Sequence, residues 1–411
     1  MKKLIMITNY FPYGSDTGEM YLRNEIFETS RIFDEVVILS CNAKKGDFLF
    51  TDNLPQNVQY FALDAGLSKI SSIPMIFSSN YLMDDHKILC ERKSNSFAKN
   101  CFLYYFLNKT KYRINRIHSL ELFKSSKEDN VIIYSYRLFD LAMIAVFLKK
   151  QYYNNAMVIS RAHRYDLYEE KNRLKYLPCR VYLMNNLDMI YPCSFDGEKY
   201  LRNKYKKYGN KVLCSYLGTK DYGFQEKTEN STLQVISCSN VIPVKRVEKI
   251  AAVMLELSKR IDLVWTHIGD GTDLEKIKRK YSNEISDGIM IFAGKQQHEQ
   301  VIKQYQQKFY DLFINLSESE GIPQSIMEAL SFGIPIVATN VGGNAEIVLD
   351  HYTGYLVEEN EVIQQIANII EKYSKMSISS VNLMRRNCRN RWKECFNAAN
   401  NSIRFFEGIV H

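Results

Sequence analysis

Short apolar runs alternate along most of the chain with stretches in which apolar residues recur at helical spacing. This alternation predicts parallel strands joined by crossover helices. In the first half the predicted strands are 3–8, 35–40, 131–134, 157–160 and 189–192; in the second half they are 233–238, 262–268, 289–292, 312–316 and 334–338. Each ends in a polar or glycine-bearing loop, so the same α/β architecture is expected twice. Between the two series, DYGFQEKTENST from Asp221 is polar and without periodicity, and it reads as a linker. No tandem repeat or low-complexity tract interrupts the pattern.

Length and composition agree with two domains. A chain of 411 residues exceeds one ordinary core, and 46% apolar residues suffice for two. The apolar run LIMI after Met1, Lys2 and Lys3 is too short for a signal peptide and reads as a first buried strand. The longest other run, LAMIAVFLKK from Leu141, is about half of a bilayer span. A cytoplasmic protein is expected. Nine scattered cysteines without a CxxC pair suggest reduced thiols, with neither a disulfide framework nor a zinc site.

The net charge of +8 is unevenly placed: residues 87–127 hold ten Lys/Arg against two Asp/Glu, an excess equal to that of the whole chain. Aromatic residues interleave these charges, as in CFLYYFLNKTKYRINRIHSL. A solvated helix with one core-facing side, a membrane-surface helix and a nucleic-acid face all fit this pattern.

Open parallel sheets bind ligands at the carboxyl ends of their strands, so chemistry is sought in those loops. In the first loop, Gly14 and Gly18 flank a small polar turn, and a helix begins over Glu19 to Ile26. Such a turn admits a ligand to the backbone, although it also suits an ordinary strand-to-helix connection. SRAHRYDLYEE brings Arg161, His163, Arg164 and Asp166 to the edge after the 157–160 strand. In SCSNVIPVKRVEKI, Lys245 and Arg246 stand where strand turns to helix; two cations at a helix start suit a diphosphate, or else form a solvated pair. IGDGTDLEKI has Gly269 and Gly271 but Leu274 in place of a third glycine, so it is no dinucleotide fingerprint.

The fifth loop is the most informative. In EGIPQSIMEALSFGIPIVAT, Glu320 falls on a loop after a buried strand, Pro323 near the first helical turn, Glu328 near the second, and Gly333 at the helix end. A carboxylate accepts hydrogen bonds from two neighbouring hydroxyls, so sugars and riboses are natural partners. The companion loop from Asn340 contributes Gly342, Gly343 and amide donors. A lone glutamate near a helix start would be a surface residue offsetting the dipole; the other four loops make that account less economical.

The stretch EGIPQSIMEALSFGIPIVATNVGGNAEIV resembles the donor-binding signature of retaining glycosyltransferases of family 4. RAHRYDLYEE, PVKR, GDG and the terminal RWKECFNAANNSIRFF extend the resemblance over most of the chain. It implies a GT-B fold, two facing Rossmann-like domains with a cleft between them. The domains would be an acceptor domain over 1–222, with a basic aromatic insertion at about 65–127, and a donor domain over 231–390. A closing helix would cover 391–411.

The resemblance also implies roles. Lys245 would hold the nucleotide's diphosphate, Glu328 the ribose hydroxyls and Glu320 the donor sugar or adjacent donor atoms. His163 would face the transferred sugar and Gly18 would border the phosphates or the acceptor. Asn240 stands where many members have an arginine, for which Arg246 or another cation would compensate. Gly269, Gly321, Ile322, Pro323, Gly342 and Gly343 complete the implied donor site. With no Asp-x-Asp in the chain, metal-independent transfer is expected, with no cofactor beyond the donor, a UDP- or GDP-sugar. The acceptor would be a lipid-linked saccharide, met at the inner face of a membrane through 87–127; nucleic acid is not expected as a partner. A sugar-nucleotide epimerase or a phosphorylase on the same fold, and a non-catalytic basic scaffold, are the competing readings.

Overall fold

The computed structural model describes residues 1–14, 19, 21–49, 54–64, 96–123, 130–229 and 232–410. They form two units, one of residues 1–217 and 399–411 and the other of residues 218–398.

The first unit is built on a parallel sheet of β1 (Lys3–Thr8), β2 (Glu35–Ser40), β3 (Val58–Ala62), β4 (Val131–Ser135), β5 (Met157–Ala162) and β6 (Met189–Pro192), in the order β3-β2-β1-β4-β5-β6. Strand side chains alternate between faces, and both faces are covered. Leu4, Met6, Val36 and Ile38 pack with Leu22 and Ile26 of the helix Tyr21–Ile32 and with Phe405 and Phe406. Ile5, Ile7, Val37 and Leu39 face Leu103, Phe106, Leu141 and Ile144 on the other side.

The helix Phe97–Ser119 explains much of the basic aromatic segment. Ser96 caps its start, and Leu103, Phe106 and Ile117 are buried against the helix Asp140–Gln151. Three of its five cations turn inward: Arg113 and Lys109 both reach Asp140 Oδ2, at 2.8 and 2.9 Å, and Arg116 Nε donates to the Leu63 carbonyl at 3.0 Å. The core-facing reading therefore holds for this helix, while residues 65–95 and 124–127 of the expected insertion lie outside the described residues.

The second unit repeats the plan with β7 (Leu233–Cys238), β8 (Leu263–Ile268), β9 (Met290–Phe292), β10 (Leu312–Asn315), β11 (Ile336–Thr339) and β12 (Gly354–Val357), ordered β12-β11-β10-β7-β8-β9 and parallel throughout. The order reverses between β7 and β10, which are neighbours. Ligands of open parallel sheets sit at such a switch point.

Two boundaries differ from expectation. The polar stretch read as a linker is fastened to the second unit: Lys227 N donates to Asn382 Oδ1 at 2.8 Å, Arg385 Nε to the Gln225 carbonyl at 2.8 Å, and Arg389 to both oxygens of Asp221 at 2.6 Å. Its polarity serves these bonds and the buried pair of Lys227 with Asp311 at 2.7 Å. The single closing helix is in fact two, Ile378–Cys395 and Ala398–Val410. Val381 and Met384 join the second core, whereas Phe405 and Phe406 join the first, and one straight helix would have to serve both.

Candidate functional site

The loops after β7 and β10 lie side by side because their strands pair. Pro243–Lys245 form a single tight turn, Arg246 takes a left-handed conformation at φ 49°, and Glu318 N donates to the Val244 carbonyl at 2.9 Å. This locks the two loops together and sets Lys245 beside Glu320, with Nζ 2.6 Å from Glu320 Oε1. Asn315, the last residue of β10, donates to the same oxygen at 3.2 Å.

Glu328 has a parallel arrangement one turn along the helix Gln324–Ser331. Its Oε1 accepts from His298 Nε2 and from Gln324 Nε2, each at 2.7 Å. Both carboxylates are largely buried, with side-chain exposures of 7% for Glu320 and 5% for Glu328. In each, Oε1 carries two donors, while Oε2 has no hydrogen bond to the described residues and is not sealed from solvent. Two half-satisfied carboxylate oxygens therefore open from an otherwise buried setting. Pro323 occupies the position before the helix, and the helix ends in a Schellman turn: Gly333, at φ 73°, donates to Leu330 and Ile334 to Ala329.

The glycine-rich companion loop acts as a support. A Cβ on Gly342, at φ 51°, would stand 2.1 Å from the Glu320 carbonyl oxygen, and one on Gly343 would stand 2.0 Å from that of Gly321. Gly343 N donates to the Gly321 carbonyl and Asn344 N to that of Val341. Those two amides are thus unavailable to a ligand, contrary to expectation; backbone packing against the Glu320 loop takes them up. The amides of Glu320, Gly321 and Ile322 donate to no other group among the described residues. Gly269 and Gly271 similarly let the GDG turn rest on Ser239 and Val241, where a Cβ would meet carbonyl oxygens at 1.9 and 2.3 Å. Below that turn His267 donates through Nε2 to the Ser239 carbonyl and accepts from Ser237 Oγ. Burial pushes its imidazole down to about 4.

Arg246, expected to compensate for Asn240, is held by acidic neighbours. Its guanidinium bonds Glu318 Oε1 at 2.9 Å and the Glu359 carbonyl and carboxylate at 2.9 and 3.1 Å. Asn240 itself is exposed on the loop.

In the first unit, Gly18 lies outside the described residues. Glu19, whose role the sequence reading missed, is buried and accepts from the amides of Asn9, Tyr10 and Phe11 at 2.7 to 2.8 Å, which shapes the loop after β1. His163 is only partly buried, yet both ring nitrogens are engaged. Nε2 donates to the Tyr136 carbonyl at 3.0 Å, and Nδ1 lies 3.5 Å from the Cys193 thiol. Burial, with Arg137 and Arg161 nearby, holds the imidazole well below its usual range, so it is neutral. Arg161 is a core residue, bonded to Tyr134 and Ser215 and stacked on Phe405, and Asp166 is buried on the Leu138 amide. Among the described residues, no three His, Cys, Asp or Glu are grouped as a metal site would require, and no helix is long and apolar enough to cross a membrane.

The family model described as Glycosyl transferases group 1 matches residues 218–394. The N-acetyl-alpha-D-glucosaminyl L-malate synthase of Bacillus anthracis is 30% identical over 139 residues, 34% of each chain. The UDP-Gal:alpha-D-GlcNAc-diphosphoundecaprenol alpha-1,3-galactosyltransferase of Escherichia coli is 28% identical over 138 residues, 33% of this chain and 34% of its own. The matches to both span about a third of those relatives' length. Among solved structures, a mutant of S. aureus TarM in complex with Fondaparinux, alpha-GlcNAc-glycerol and UDP superposes with a TM-score of 0.67 at 14% identity, covering 100% of both chains. Residues 218–394 thus match glycosyl transferases group 1, and the two six-stranded parallel sheets are those of the GT-B fold.

Proposed function

We propose that the protein is a retaining glycosyltransferase that moves a hexose from a UDP- or GDP-sugar to a hydroxyl of a lipid-linked saccharide. One observation carries this reading: after the switch-point strands of the second sheet, two buried glutamates each offer one open carboxylate oxygen, and the other oxygen of Glu320 is paired with Lys245. The names of the relatives, one of which acts with a diphosphoundecaprenol-linked sugar, support it.

In this account Glu328 Oε2 accepts from the ribose hydroxyls and Lys245 Nζ meets the diphosphate. The amides of Glu320, Gly321 and Ile322 add donors where negative charge grows as the anomeric C–O bond to the diphosphate breaks. The acceptor oxygen bonds to the same face of the anomeric carbon, and its proton passes to the leaving phosphate oxygen. Glu320 Oε2 would orient the sugar. His163, neutral and doubly bonded, would line the acceptor side without transferring a proton. No step requires a metal ion. The first unit would receive the acceptor at a membrane's inner face in surface polysaccharide assembly. Phe97, 86% exposed, and the exposed Lys111 and Tyr112 are among its exposed side chains in the described part of 87–127.

The test is release of nucleoside diphosphate from UDP- and GDP-hexoses, with and without a lipid-linked saccharide acceptor and in excess EDTA. Acceptor-dependent release that persists in EDTA and fails in Glu320→Gln is expected. Donor conversion to an isomer without acceptor, or turnover requiring phosphate, would replace the reading with an epimerase or a phosphorylase.

A further inference from the structure

We propose that His298 is a positioning residue of the nucleotide site: with Gln324 it fixes the plane of the Glu328 carboxylate so that the open oxygen meets the ribose in one defined direction. This rests on the reading of Glu328 as the ribose-binding residue.

The residues come from separate places. His298 opens the helix His298–Gln307 that follows β9, thirty positions before Glu328, whereas Gln324 stands one turn before Glu328 on its own helix. Both nevertheless donate to the same oxygen. The last torsion of a glutamate is broad, so an unrestrained carboxylate sweeps through many orientations. Turning this one out of its plane would break both 2.7 Å bonds, so the outer oxygen keeps a single position. Hydrogen bonds to an ionised acceptor are the stronger kind, which makes the restraint effective.

His298 is itself held. The Gln297 amide bonds Gln300 Oε1 at 3.1 Å, closing a capping box that fixes the helix start. The ring of Tyr222 lies 6.2 Å from the imidazole and stacks on Phe332. A pair that served only the core would engage both carboxylate oxygens or seal them from water. Here one oxygen is held and the other is left open, an arrangement that prepares a ligand contact in advance of binding.

The experiment measures Kd by calorimetry for UDP, GDP and ADP, then for the 2′,3′-dideoxy form of whichever binds tightest. The protein is tested as the full chain and as His298→Ala, His298→Gln, Gln324→Ala and Glu328→Gln. The native chain is expected to prefer the ribonucleotide by roughly ten- to a hundredfold, the range of one or two hydrogen bonds to a charged group. In His298→Ala that preference should fall towards the Glu328→Gln value, with dideoxy affinity held within about twofold. His298→Gln, whose amide can stand in for Nε2, should restore most of it. Equal weakening of both ligands, or an unchanged preference in His298→Ala, overturns the proposal. Should His298→Ala not fold, Gln324→Ala and His298→Gln decide on the same criterion. If Glu328→Gln keeps the native preference, or no nucleotide binds, the ribose reading fails and this inference with it.

Discussion

Lys245 and Glu320 form a 2.6 Å ion pair between the loops that follow the adjacent strands β7 and β10. The cation assigned to the diphosphate and the anion assigned to the sugar thus hold each other. A donor must divide them, or slide between them, before both can act. Replacing Lys245 with Ala removes the charge proposed to meet the leaving group, and turnover at saturating donor should drop by about a hundredfold or more. Glu320→Gln should behave differently: with Lys245 released, affinity for the bare nucleoside diphosphate should hold or rise while turnover falls. Calorimetry beside a steady-state assay separates the two effects.

Gly342 is held at φ 51° with its α-carbon against the Glu320 backbone, where a methyl group would stand 2.1 Å from the carbonyl oxygen. Gly342→Ala therefore has no way to relax without moving the Glu320 loop. A loss of about 1–3 kcal/mol is expected from strain of this kind. Thermal unfolding would register it, and donor affinity should fall in the same variant.

The buried guanidinium of Arg113 and the amine of Lys109 share Asp140. Burial alone would raise that carboxyl, but the two cations outweigh it and the group is lowered overall. Arg113→Met should leave Asp140 with Lys109 alone and destabilise the first unit by about 3 kcal/mol, the cost of breaking a buried pair. A lower urea midpoint, recovered in part by Asp140→Asn in the double variant, would bear this out.

His267 supplies a pH signature. Its imidazole is lowered from 6.5 to about 4 by burial. The unfolded chain therefore takes up a proton before the folded one does. Stability from this group is full above about pH 6.5 and is lost progressively as pH falls towards 4, on the order of 3 kcal/mol in all. His267→Gln should flatten the dependence of unfolding free energy on pH in that window. A slope unchanged from the native chain would refute the assignment.

The sequence made the interior strands legible because buried parallel strands are continuous apolar runs. Two of the four edge strands escaped notice: VQYFA in β3 is mostly partly exposed, and GYLV in β12 opens on a glycine. The spacing of Glu320 and Glu328 was visible, but their partners were not. Nothing in HEQVIKQYQQ signals that His298 reaches across thirty residues to Glu328. The glycines of the 342–343 pair were legible as a source of amide donors, yet whether they faced a ligand or another loop depended on tertiary packing. Arg161 and Asp166 looked like chemistry because charge at a strand end usually does. Their neighbours, Tyr134 and the Leu138 amide, lie elsewhere in the chain.

The central claim, that the second unit binds a nucleotide through Glu328, is tested most directly by thermal unfolding of the full chain with UDP, GDP and ADP, repeated with Glu328→Gln. At a hundred times its Kd a ligand adds about 2.7 kcal/mol, enough to raise a midpoint by several degrees. The account predicts a rise that is selective for one base and reduced in Glu328→Gln. No rise with any of the three, or an equal rise in the variant, would contradict it.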